Sequence, residues 1–240
     1  MGLGVVVGML ADLDRDDPDE VEWVHAQLAA IGAVMTDAGL QPHREPEDCD
    51  VWWAEGHGYS GLRALLEVAG HVWKGLPVPR DRQLTGHEGT PLADELRETA
   101  QPFLTAEPGS GPAPASLANG KRPPDFLHLV CHSTSLGHYV PTDFPLPLFP
   151  TFLEDLEEEM PDIWPLGSAQ RLKAELAALA EALEIPDDLT SQDDEIREAI
   201  DDPDAGGAPW MAQPIATYSL LILREACEAS LKTGAAVCFC

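Results

Sequence analysis

Residues 3–10 open the chain as a valine-rich apolar run, a pattern that predicts a strand. Beyond an acidic stretch, apolar side chains recur at Val21, Val24, Leu28, Ile31 and Met35. Spacings of three and four place them on one stripe of a helix. Asp17 is positioned to cap that helix and Pro18 suits its first turn. Asp19, Glu20 and Glu22 favour its positive end, and Gly39 stops it. Residues 49–54 predict a second strand, and the turn EGHGYSG leads from it into a helix over about 61–73. A shorter helix follows at 91–100.

The segment DFLHLVCHSTSLGHYVPTDF predicts a β-hairpin over 126–143, turning at 133–137. Leu172, Leu176, Leu179 and Leu183 mark a further helix, and an apolar helix runs from about 214 to 234 before the strand-like close AAVCFC. Between them, residues 187–204 read as a solvated short helix with loops. Pro, Gly, Ala and Ser dominate 106–124, which reads as a mobile loop rather than a linker. Neither half supplies a sheet of its own, so residues 1–240 are read as a single α+β domain. Its mixed or antiparallel sheet takes in both chain termini and the 126–143 hairpin, and packs against about four helices.

Charge changes this picture most. Forty-two acids oppose fourteen bases for a net charge of −28, with −11 in residues 1–60, −10 in 181–240 and −8 within 187–204 alone. Such a surface repels phosphate backbones and anionic lipid and attracts basic proteins. The partner expected is therefore a basic protein, with nucleic acid and membrane excluded; oligomeric state is left open. The hydrophobic fraction of 44% is that of a folded chain rather than a disordered acidic one. Five cysteines without framework spacing, and no secretory leader or membrane span, place the protein in the cytoplasm. Ten arginines against four lysines, with abundant Ala, Pro and Asp, suit a GC-rich bacterial genome, in which part of the acidity is background.

Candidate chemistry centres on the hairpin. With its turn at 133–137, His132 stands opposite His138 and shares a face with His128, about 5 Å apart for direct pairs. His132 and His138 are then candidate metal ligands, zinc being the cofactor in question, with His57 or His87 as a third ligand. Cys131 points to the other face and cannot pair with His132 as a nucleophile. A second candidate surface joins His57, Tyr59 and Trp53, because Trp52 and Trp53 point to opposite faces of their strand. Ser60 fails as a nucleophile elbow, since Leu62 stands where a small residue is required. Asp12, Asp14 and Asp16 fail as a calcium loop, with Asp17 in place of glycine and Trp23 in place of glutamate. The string His132-Ser133, Gly137, Tyr139-Val140-Pro141 and Asp143-Phe144 is similar to a motif of bacterial proteins that carry an acid where this chain has Thr134. That similarity spans some twenty residues and implies no activity.

No catalytic residue is named by these patterns, and the balance leans away from an enzyme. The leading expectation is an acidic intracellular binding protein, in concrete form an immunity or inhibitor protein that neutralises a basic partner. The alternatives are a metal- or histidine-dependent enzyme using the hairpin, and a globular protein without a catalytic site whose acidity serves solubility.

Overall fold

The computed structural model describes residues 3–56, 58–84, 90–104, 122–132, 137–149, 165–203 and 207–239, the Leu3 and Tyr59 side chains excepted. Among these residues it is an α+β structure with a five-stranded mixed sheet and eight α-helices. The strands are β1 (Leu3–Val7), β2 (Trp52–Gly56), β3 (His138–Val140), β4 (Leu166–Ser168) and β5 (Val237–Phe239), in the order β2-β1-β5-β3-β4. Only the β3–β4 pair is parallel. Strands from both ends of the sequence thus lie side by side, as expected. No described helix is long and apolar enough to cross a membrane.

Alternation along β1 separates two layers. Val5 and Val7 face a cluster built with α2 (Gly58–Trp73), α5 (Ala169–Ala182) and α8 (Pro214–Thr233). Val6 faces the other side, where Val24, Ile31, Val34 and Met35 of α1 (Pro18–Asp37) pack on it with Val140, Leu166 and Cys238. Asp17 caps α1 as expected, its carboxylate accepting the Asp19 and Glu20 N–H groups at 3.0 and 3.3 Å. The short helix at 91–100 is α3 (Pro91–Ala100), and the acidic 187–204 segment contains α6 (Asp194–Asp201). A four-residue helix, α7 (Pro209–Ala212), precedes α8. Ser60 lies inside α2 rather than capping it, because the helix starts at Gly58.

The hairpin is corrected. Its first arm is a helix, α4 (Leu127–Cys131), and only its second arm is a strand, β3. The cause is tertiary: Glu175 of α5 reaches the start of α4, where its two carboxylate oxygens accept the His128 and Leu129 N–H groups at 3.0 and 2.8 Å. Those donors are the ones a helix start leaves unsatisfied, so the buried carboxylate selects helix over strand. The loop expected at 106–124 falls outside the described residues except for 122–124, as does the acidic run at 154–159.

Candidate functional site

The three candidate histidines are all buried, and they no longer share a face. His138 pairs with Cys238 across β3–β5, so it faces the α1 layer together with Val140. His132 stands on the opposite side, edge-on to the Tyr139 ring at 4.4 Å and near Phe239 at 5.8 Å. Its Nε2 donates to the His138 carbonyl at 2.9 Å. Gly137 makes that seat available: its φ is +106°, and a Cβ there would run into the His132 ring. The expected opposition of the two rings across a hairpin is therefore replaced by rings on two faces of a sheet. Among the described residues, no three His, Cys, Asp or Glu side chains are grouped to hold a metal ion.

His128 belongs to an internal network. Its Nδ1 accepts the Ser168 N–H at 3.1 Å, which leaves the ring proton on Nε2, and its carbonyl takes the Tyr139 hydroxyl at 2.8 Å. Burial lowers its pKa to about 4, against the opposing pull of the Pro145 carbonyl, and lowers that of His138 to about 3. Burial likewise raises Glu175 to about 7, despite the backbone donors that favour its charge. A cleft of about 450 Å³ runs beside His128, Arg171 and Glu175. Its strongest charges are engaged within the protein: Arg171 grips Asp143 at 2.6 and 3.0 Å, and both Glu175 oxygens are taken by α4. This region fits together as a folded interior.

His57 and the Tyr59 side chain lie outside the described residues. Trp53 is the one candidate found open to solvent: it pairs with Val6 on the α1-facing side of edge strand β2 and is 57% exposed. Trp52 turns to the other face and packs against the main core.

The acids divide into two populations. Glu45, Glu67, Glu175 and Glu225 serve the backbone, accepting N–H groups of Ala236, Ala93, His128, Leu129 and Ser191. Others stand at the surface in ordered rows. After β1, the chain turns at Gly8, whose φ is +94° and whose Cα lies so close to 49–51 that a Cβ would meet Cys49 Sγ at 2.9 Å. The segments 8–17 and 47–51 therefore meet at one end of the sheet. That end bears exposed Asp12, Asp14, Asp16, Asp17, Asp19, Glu20 and Glu22 from one segment and its helix, with Glu47, Asp48 and Asp50 from the other. Asp50 bonds Lys232 at 3.1 Å, whereas the seven acids of 12–22 make no ion pair with a described base. A second row, Asp193, Asp194, Glu195, Glu198, Asp201 and Asp202, follows α6, which buries Ile196 and Ala199 beneath it.

Trp23, 47% exposed within the first row, escaped the sequence reading. The stripe inferred from Val21, Val24, Leu28, Ile31 and Met35 is buried at Val24, Ile31 and Met35, and the buried face extends beyond it through Gln27, Ala30 and Val34, on the side where Trp23 lies. The available signal was the spacing of 23, 27, 30 and 34 by four, three and four.

No curated protein and no solved structure matches this chain. The sequence model of a family described as "Putative DNA-mimic protein" matches residues 1–239. That match corrects the partner expectation as charge alone framed it, which named a basic protein but left DNA out of the account. Repulsion from phosphate was taken to remove DNA from the account, yet the family's description restores it as the molecule imitated. With nearly every residue matched, the chain belongs to this DNA-mimic family.

Proposed function

We propose that the protein occupies the DNA-contacting surface of a DNA-binding protein and competes with duplex DNA for it. The family match over 1–239 carries this reading. The acidic rows support it by their charge density. Duplex DNA carries about one negative charge per 1.7 Å of axis. Asp17, Asp19, Glu20 and Glu22 span five residue steps at the start of α1, about 7.5 Å at helical rise, or roughly one charge per 2 Å. The six acids at 193–202 span nine steps, about 13.5 Å, or roughly one charge per 2.3 Å, partly offset by Arg197 on Asp194. Both rows ride on helices whose inner faces are buried, so the carboxylates are presented without ordering a flexible tail on binding.

In its finer form the reading is an inhibitor, of the immunity type if the protein displaced is a toxic nuclease. Charge of this density speeds association and makes it fall steeply with salt. The test is displacement. Proteins of the source cell are bound to immobilised duplex DNA and eluted with this chain, or with polyglutamate of equal total charge as control. A discrete protein released by the chain and not by polyglutamate is the expected result. Equal release by both, or release of nothing, would overturn the reading.

A further inference from the structure

We propose that the end of the sheet where β1 passes into α1 is the contact face, with Trp23 and Trp53 as its apolar anchors against the DNA-binding protein. This rests on the function proposed above and adds which surface performs it and what fixes the complex once formed.

Two open tryptophans on one layer are the starting observation. Trp53 shares its face with Val6, which α1 covers, yet Trp53 itself is left uncovered at the sheet edge. Trp23 heads the row that continues through buried Gln27, Ala30 and Val34, so it points to the sheet-facing side of α1 and is nonetheless 47% exposed. Val24 beside it is buried against the sheet, so Trp23 stands at the margin of the covered face of α1. Val51, 40% exposed and against Gly8, adds apolar surface at the same end. With about half of each still open, the two tryptophans together offer roughly what one whole aromatic side chain buries, on the order of 150–250 Å², and tryptophan is among the residues enriched at interface hot spots.

The surroundings identify the occupant. Asp12, Asp14, Asp16, Asp17, Asp19, Glu20 and Glu22 rim this end, joined by Glu47 and Asp48, with Arg15 the one base among residues 12–22. A second copy seated here would bring like charges together with little besides Arg15 to offset them. A surface shaped to hold phosphates brings the opposite charge. Carboxylates alone would reproduce the phosphates of DNA, whereas a DNA-contacting surface also meets sugars and base edges between them. The tryptophans supply that apolar component.

The two contributions separate kinetically. The acids govern the on-rate and its salt dependence, and the tryptophans govern the off-rate. The probe is the protein released in the displacement experiment, purified. With it, Trp23→Ala and Trp53→Ala, singly and together, are expected to raise the off-rate on the order of 30-fold for the pair, with the salt slope unchanged. Asp19→Asn with Glu20→Gln and Glu22→Gln is expected to lower the on-rate and flatten the salt slope. In the unaltered protein, acrylamide quenching of tryptophan fluorescence should fall when the probe is added, a readout that needs no variant to fold. A wild-type off-rate in the double alanine variant, or unchanged quenching, overturns this proposal and leaves the function standing. Failure of the wild-type chain to release any protein overturns both. Sedimentation showing a dimer that the double variant dissolves would assign the face to a second copy and overturn it also.

Discussion

Replacing His138 by leucine is expected to stabilise the protein. Both imidazole nitrogens are buried and neither has a hydrogen-bond partner among the described residues, while Val140 and Cys238 make the surroundings apolar. A buried polar group without a partner costs about 1–3 kcal/mol, so leucine should recover about that much at pH 7.5. For a chain of this size, that corresponds to a rise of about 2–12 °C in Tm. The gain should widen in acid. His138 is lowered to about 3 in the folded protein, whereas the unfolded chain takes up its proton near 6.5. Between those values the unfolded state holds the extra proton, so stability falls as pH falls through the window. At pH 5 the loss from this group is about 2 kcal/mol, and leucine removes it. Urea unfolding at pH 7.5 and pH 5 measures both terms. A variant less stable than wild type at pH 7.5, with the acid-side slope intact, would refute the reasoning and show that the imidazole is held by a partner.

Glu175 works in the opposite direction: raised to about 7, it keeps a proton that the unfolded chain releases above about 4.5. Its contribution is therefore complete at low pH and declines by about 3 kcal/mol as pH rises from 4.5 to 7, and Glu175→Gln should flatten that limb of a urea-midpoint titration. Gly167→Ala should destabilise by about 3 kcal/mol or more, since a Cβ would stand 2.5 Å from Tyr139 Cε1 in the closed core; thermal unfolding reads the loss. Asp17→Asn should keep the α1 cap and its stability while weakening displacement from DNA, whereas Asp17→Ala should also cost about 1 kcal/mol of stability.

The helices were legible where local signals agree. Asp17 and Pro18 opened α1, Pro91 opened α3, and the start of α8 at Pro214 followed from an apolar run bounded by prolines. The alternation of Trp52 and Trp53 was also legible, because period two is a property of the strand itself. What failed depended on partners distant in sequence. LHLVC suits a strand until Glu175, 46 residues beyond Leu129, caps it as a helix. Whether the histidine face is exposed was not legible, because alternation cannot disclose that both faces of the sheet are covered. The acids could be counted but not sorted. Nothing local distinguishes Glu67, buried beneath α3, from Glu22 in solvent.

Among the described residues, strand β5, three residues long, is the only bridge between the β2–β1 pair and the β3–β4 pair. Val5 must therefore wait for Phe239, 234 positions later, before the sheet exists as one piece. During translation the chain passes through a state with two unjoined strand pairs, each with an open edge, for the roughly 4–14 s needed to add the residues between Ser168 and Val237. Pairings of such long range are slow to form. In that interval the acidic row at 12–22, already synthesised, adds like charge that opposes contact between neighbouring nascent chains. The charge proposed to meet a DNA-binding protein in the finished chain then also opposes contact between chains still being made.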